Sequence, residues 1–80
     1  VEKTEVRERV KLVVAKVLKM DVSEVSDNAN FIFDLGADSM QSLELVAGFE
    51  EEFGLEMDED KALRVQTVED AVQFIAGYLG

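Results

Sequence analysis

The residues of this chain best placed for chemistry lie in the stretch "DLGADSMQSLELV", residues 34 to 46. Ser39 stands there behind Gly36, Ala37 and Asp38, just ahead of an apolar-periodic segment. A helix is expected from about Ser39 to Phe53, with Asp38 as its N-cap and Gly36 allowing a left-handed turn before it. Ser39 then falls in the first helical turn. Free backbone N–H groups and the positive end of the helix dipole meet at that point and welcome a negative group. A serine hydroxyl so placed could carry a phosphate or a phosphodiester. It is poorly equipped to be a nucleophilic catalyst. The chain has no histidine, which removes the usual general base, the commonest metal ligand and any triad built on His. It has no cysteine either, so disulfides and thiolate metal sites are excluded. Asp38 is the only adjacent carboxylate, and a capping carboxylate is already engaged with the helix. Ser39 therefore reads as a residue that another enzyme modifies. The bland alternative is that it only helps to cap the helix.

The elements that must position this serine follow from periodicity. Val6, Val10, Val13, Val14, Val17 and Leu18 recur at spacings of three and four, which makes one apolar stripe of a first helix. Valine locally favours strand, but strict alternation is absent and the helical period prevails. Thr4 is the expected N-cap, and the helix should end near Lys19 or Met20. A long ordered loop follows, with turn formers Ser23, Ser26, Asp27, Asn28 and Asn30 and with apolar anchors Val22, Val25, Phe31 and Leu35. One short helical turn is expected within it. Loops of this length are often functional. The helix after Ser39 buries Leu45, Val46, Phe49 and Phe53 and is stopped by Gly54. "MDEDKALR" suggests a short helix. Thr67 with Asp70 resembles a capping box for a last helix, whose inner face is Val68, Ala71, Val72, Ile75 and Leu79. The expected fold class is all-α: a small four-helix bundle, three main helices plus one short helix, with a long first loop.

Eighty residues allow one domain, near the lower limit for a core without staples. The net charge is −10 and is unevenly placed. Residues 1 to 20 carry all but two of the Lys and Arg, whereas Asp21 to Asp60 holds thirteen Asp or Glu and no Lys or Arg. Such a surface repels nucleic acid and anionic lipid, and steers basic partners. No apolar run approaches a membrane span and no signal-peptide pattern opens the sequence, so a soluble, cytoplasmic monomer is expected. "EMDEDK" clusters carboxylates but lacks the ligand ladder, the central glycine and the closing Glu of an EF-hand, so diffuse divalent binding is the expectation and no specific metal site is assigned.

"DLGADSMQSLELV" resembles the modification site of acyl carrier proteins, whose common form is Asp-Ser-Leu at the start of the second helix. The resemblance extends along nearly the whole chain in order and spacing. "VRERVKLVVAKVL" looks like the family's first helix, "VSDNANFIFDLGADS" its first loop, "LELVAGFEEEFGLEM" its second helix and "VQTVEDAVQFI" the start of its last. The resemblance implies one acyl carrier domain over residues 1–80, not itself an enzyme. Ser39 would be esterified by 4'-phosphopantetheine, taken from coenzyme A by a phosphopantetheinyl transferase. Acyl intermediates would ride on the arm's thiol as thioesters to enzymes of fatty-acid or polyketide synthesis, and acyl chains would be sheltered within the bundle. A chain with no thiol of its own suits an imported one.

The resemblance also implies that the second helix docks partners. Gln41, Glu44, Gly48 and Glu51 recur at three- and four-residue spacing on a stripe away from the core, with Met40, Leu43 and Ala47 beside it. Asp38, Met40, Glu44, Ala47 and Glu51 are the implied contacts for basic docking surfaces, weak enough to release. A solvated acidic face is the plain alternative. Met40 replaces the family's usual leucine, Gln41 and Phe33 stand where acids are frequent, and Asp58 stands where proline is usual. These departures leave room for a specialised pathway. A peptidyl or D-alanyl carrier would also use a modified serine, although the peptidyl type usually has a glycine-rich approach to it. An unmodified acidic interaction module is the reading from a different class.

Overall fold

The computed structural model describes residues 2–79. Its elements run α1 (Lys3–Leu18), a short 3-10 turn (Val22–Glu24), α2 (Ser39–Phe53), α3 (Glu59–Ala62) and α4 (Val68–Leu79). The all-helical bundle expected from periodicity is the fold observed, with no strand among the described residues. None of the described helices is long and apolar enough to cross a membrane.

The core is built where the stripes of α1, α2 and α4 meet. Val6, Val10, Val14, Val68, Val72 and Ile75 are its fully buried large side chains. Each such side chain contributes roughly 1.5–3 kcal/mol of burial, which is how helices rich in valine hold together despite valine's strand preference. Leu45 and Phe49 close the core from α2. Val17, Leu18, Val46 and Phe53 pack at its edge. Leu79 does not join it: as the last residue of α4 it remains 36% exposed, although it continues the stripe. Val22 is likewise exposed on the 3-10 turn, whereas Val25 and Phe31 are buried anchors of the loop.

The helix ends follow local chemistry, with one difference from expectation. Glu2, not Thr4, takes the N-cap position of α1 and makes no side-chain cap; the helix begins one residue before Thr4, which therefore lies inside its first turn. Lys19 closes α1 in the left-handed conformation at φ 56°, an uncommon geometry for a residue with a side chain. Gly54 closes α2 at φ 64°, as its position suggested. Thr67 Oγ1 accepts from the Asp70 N–H at 3.1 Å and so caps α4.

The long loop is stitched to the far end of the chain. Phe31 N–H donates to the Gln66 carbonyl at 2.9 Å, Val68 N–H to Ala29 at 3.0 Å and Glu69 N–H to Asp27 at 2.8 Å. Asn30 and Thr67 form an isolated antiparallel bridge. An ion cluster reinforces this seam. Arg7 Nη2 donates to Glu69 Oε1 at 2.6 Å, Arg7 Nε lies 3.7 Å from Asp27, and Lys11 pairs with Asp27. The hydrogen bond from Arg7 holds the Glu69 carboxyl below its ordinary value, and that from Lys11 does the same for Asp27. One cluster thus ties α1, the loop and α4 together.

Candidate functional site

Ser39 is the first residue of α2 and is exposed. The segment before it is locked by its own side chains. Asn30 Oδ1 accepts from the N–H groups of Ile32 and Phe33 at 2.9 and 3.0 Å, and Asp34 Oδ2 accepts from the Asn30 N–H at 2.7 Å. Ala37 N–H donates back to the Phe31 carbonyl at 2.8 Å, closing the turn through Gly36, whose φ is 73°. Asp38 then starts the helix. Its Oδ1 accepts from the Gln41 N–H at 2.8 Å, while Gln41 Oε1 accepts from the Asp38 N–H at 3.1 Å. This reciprocal pair is a capping box. The Asp-x-x-Gln spacing could have announced it, but sequence reasoning found only the Asp38 half.

This geometry decides what Ser39 can do. Asp38 Oδ1 is engaged with the helix, and among the described residues no side chain hydrogen-bonds the Ser39 hydroxyl as a base would. Among the described residues the N–H groups of Ser39 and Met40 meet no acceptor. An exposed hydroxyl beside open N–H donors at a helix N-terminus can receive a phosphate ester and stabilise its charge. It cannot activate itself.

The implied docking residues Asp38, Met40, Glu44, Ala47 and Glu51 are all exposed, Met40 at 71%. Leu43 is exposed beside them. Met40, Leu43, Glu44, Ala47 and Glu51 share one outward face of α2 by helical spacing, and Asp38 stands at its N-terminal end as the cap. Two members of the expected acidic stripe behave differently. Gln41 is half-buried and committed to the cap. Gly48 faces α1: a Cβ there would lie 2.8 Å from Val13 Cγ1. Gly48 is thus where the two helices approach closely, not part of the solvent-facing strip.

Sequence reasoning did not foresee the lining of a cavity of about 410 Å³ that begins beside this site. Ser42 lines it from α2, about 4.5 Å along the helix axis from Ser39 at the helical rise of 1.5 Å per residue. Leu45, Val46 and Phe49 continue the wall down α2. Met57 and Ala62 line it from the α3 region, and Ala71, Phe74 and Ile75 from α4. The loop adds Phe31, Ile32 and Phe33; of these, Phe33 is 88% exposed and Ile32 58%. No periodicity signals such a space, because it arises where facing stripes fail to close on each other.

One family model, described as the phosphopantetheine attachment site, matches residues 8–75. The match runs from within α1 to within α4 and includes every residue discussed at this site. The hydroxyl, the open N–H donors and the absence of a catalytic base fit a phosphodiester-linked group installed by another protein. The chain belongs to the phosphopantetheine attachment site family: it is a carrier, not a catalyst, and the group it carries is a covalent 4'-phosphopantetheine.

Proposed function

We propose that Ser39 bears the 4'-phosphopantetheine and that this chain is an acyl carrier protein, presenting thioester-bound acyl chains to enzymes of fatty-acid or polyketide type. The bound arm supplies a thiol for thioester exchange. The protein's own residues hold, expose and shelter. Asp38 and Gln41 fix the start of α2 and keep the Ser39 hydroxyl outward. Asp38, Met40, Glu44, Ala47 and Glu51 form the strip on which a phosphopantetheinyl transferase or a synthase with a basic surface docks. The acids set orientation and Met40 buries a small apolar contact.

The observation that carries the acyl reading, over a peptidyl or aminoacyl one, is the cavity. Its volume of about 410 Å³ falls within the roughly 300–1,000 Å³ of small-molecule sites, and its walls are mostly apolar, with Asn30, Ser42, Arg64 and Gln66 as the polar exceptions. An alkyl chain gains by leaving water there. An aminoacyl group would bring in an ammonium without a carboxylate to meet it, since no Asp or Glu among the described residues lines the space.

The test has two stages. Incubation with coenzyme A, magnesium and a broad-specificity transferase should add the mass of one phosphopantetheine, and Ser39→Ala should abolish the gain. Loading the arm with an alkyl acyl group should then move the NMR resonances of Phe49 and Ile75, whereas an aminoacyl load should leave them in place. Modification elsewhere than Ser39, or cavity resonances indifferent to the alkyl chain, would refute the respective half.

A further inference from the structure

Among the described residues the cavity has one charged lining residue, Arg64. We infer that Arg64 is an anion-holding residue at the cavity mouth, and that the anion belongs to the protein's own loaded arm. This inference rests on the proposed attachment at Ser39.

Three observations carry it. The first is the pairing of arginines. Arg7 is clamped to Glu69 and Arg9 to Glu52, the latter also lying 4.6 Å above the Phe53 ring. Arg64 is exposed, and among the described residues its guanidinium meets no carboxylate and makes no hydrogen bond. In a chain with 18 acidic against 8 basic residues, an arginine left without an acid is notable. The second is its place. Phe33 and Leu63, both exposed, line the same cavity, so this is the solvent-facing rim. Among the described residues no carboxylate lines this rim to compete for the guanidinium. The third is that the backbone beneath Arg64 is fixed. Its N–H donates to the Lys61 carbonyl and the Val65 N–H to Ala62, each at 3.1 Å, and Gln66 is tied to Phe31 across the seam. A planar guanidinium on a fixed base matches phosphate and carboxylate oxygens two at a time.

The shared chemistry is an oxyanion, and the arm offers two. One is the phosphodiester that joins it to serine. The other is a second carboxylate on the cargo, as in a half-thioester of a dicarboxylic acid. A neutral acyl chain offers none. The competing role is mechanical: the Arg64 stem could simply cover apolar rim surface.

Wild type, Arg64→Met and Arg64→Gln would each be prepared unmodified, carrying the bare arm, carrying butyryl and carrying succinyl. Intact mass confirms each state. Melting temperature, the Arg64 Nε–H resonance and the phosphorus resonance are then recorded. If the phosphodiester is the partner, the wild-type melting temperature and Arg64 Nε–H resonance move between the unmodified and bare-arm forms and little thereafter, and the phosphorus resonance of the bare-arm form differs between wild type and both variants. If the cargo carboxylate is the partner, the melting temperature and Nε–H resonance move between butyryl and succinyl. In either case the melting temperature should rise by about 1–4 °C, and both variants should lose the rise. Arg64→Met keeps the stem, so equal rises in it and in wild type would overturn the inference. Phe49 and Ile75 resonances that still respond to butyryl would then leave the acyl reading standing. No mass gain on Ser39 would overturn the attachment and this inference together.

Discussion

Replacing Gly48 by alanine should destabilise the protein, although the same change in most helices stabilises it. Within a helix, glycine costs about 0.5–1 kcal/mol relative to alanine, so Gly48→Ala starts with a gain of that size. Against it stands the geometry: the new Cβ would lie 2.8 Å from Val13 Cγ1, where carbon atoms prefer about 3.5–4.0 Å. Val13 is buried and stiff at χ1, so it cannot simply swing away. The helices must part by several tenths of an ångström or Val13 must leave its rotamer, and overpacking of this kind costs about 1–3 kcal/mol. The net is a loss of about 1 kcal/mol. For a domain of this size that lowers the melting temperature by roughly 4–8 °C. Gly77 in α4 is the internal control. Nothing lies within 4 Å of a Cβ built there, so Gly77→Ala should raise the melting temperature by roughly 2–4 °C, the smaller figure reflecting its place near the helix end. Thermal unfolding followed by circular dichroism reads both. Val13→Ala combined with Gly48→Ala should cost less than the sum of the two single changes, by about 0.5–2 kcal/mol. If Gly48→Ala stabilised like Gly77→Ala, or the pair added without coupling, the close approach of α1 and α2 would not be what fixes this glycine.

Glu69→Gln should lower the melting temperature at neutral pH, and the deficit should shrink on acidification. Glu69 has its carboxyl depressed by Arg7 below the ordinary 4.5. Its contribution is therefore complete above 4.5 and lost as pH falls through the lower folded value; a deficit constant down to strongly acid pH would contradict the pairing. Added salt or magnesium should raise the melting temperature, because a net charge of −10 on this small domain repels itself, and a flat salt series would count against that. Glu44→Lys, at an exposed position, should slow arm transfer by a basic-surfaced transferase about tenfold at low salt without moving the melting temperature. The defect should fade as salt rises; a salt-independent defect would remove the electrostatic docking argument.

How much of this was legible beforehand differs by element. The two ends of α2 were readable because their determinants are local: Asp38 caps, Gly36 turns and Gly54 stops, each by its own backbone preference. Helical spacing placed Glu44 and Glu51 on an outward face with Met40 and Ala47 beside them, and these are exposed, but it put Gln41 and Gly48 on the same stripe. The direction of Gly48 was not legible. It sits on the shoulder between the buried and exposed arcs of α2, and a residue without a side chain gives no hydropathy signal of which way it faces. Only the nearness of Val13 decides it. Leu79 misled for the opposite reason, since its stripe continues to the end of α4 while its cover does not. Lys19 shows that a helix can end without the glycine a reader looks for. The cavity and Arg64 lay beyond sequence reasoning because they depend on distances between elements far apart in the chain.

The stitching of residues 27–31 to residues 66–69 has a consequence for engineering. The loop looks like an independent insert that could be exchanged between carriers to transplant cargo preference. It is instead half of a composite unit, because its backbone donors and acceptors are spent on the chain entering α4. A graft that moves Phe31 to Phe33 alone would bring a loop whose hydrogen-bonding register belongs to another protein's α3–α4 connection. Chimeras should therefore exchange the loop and the connection as a pair, with the crossover points inside α1, α2 and α4, where the helices are autonomous in their own backbone bonds.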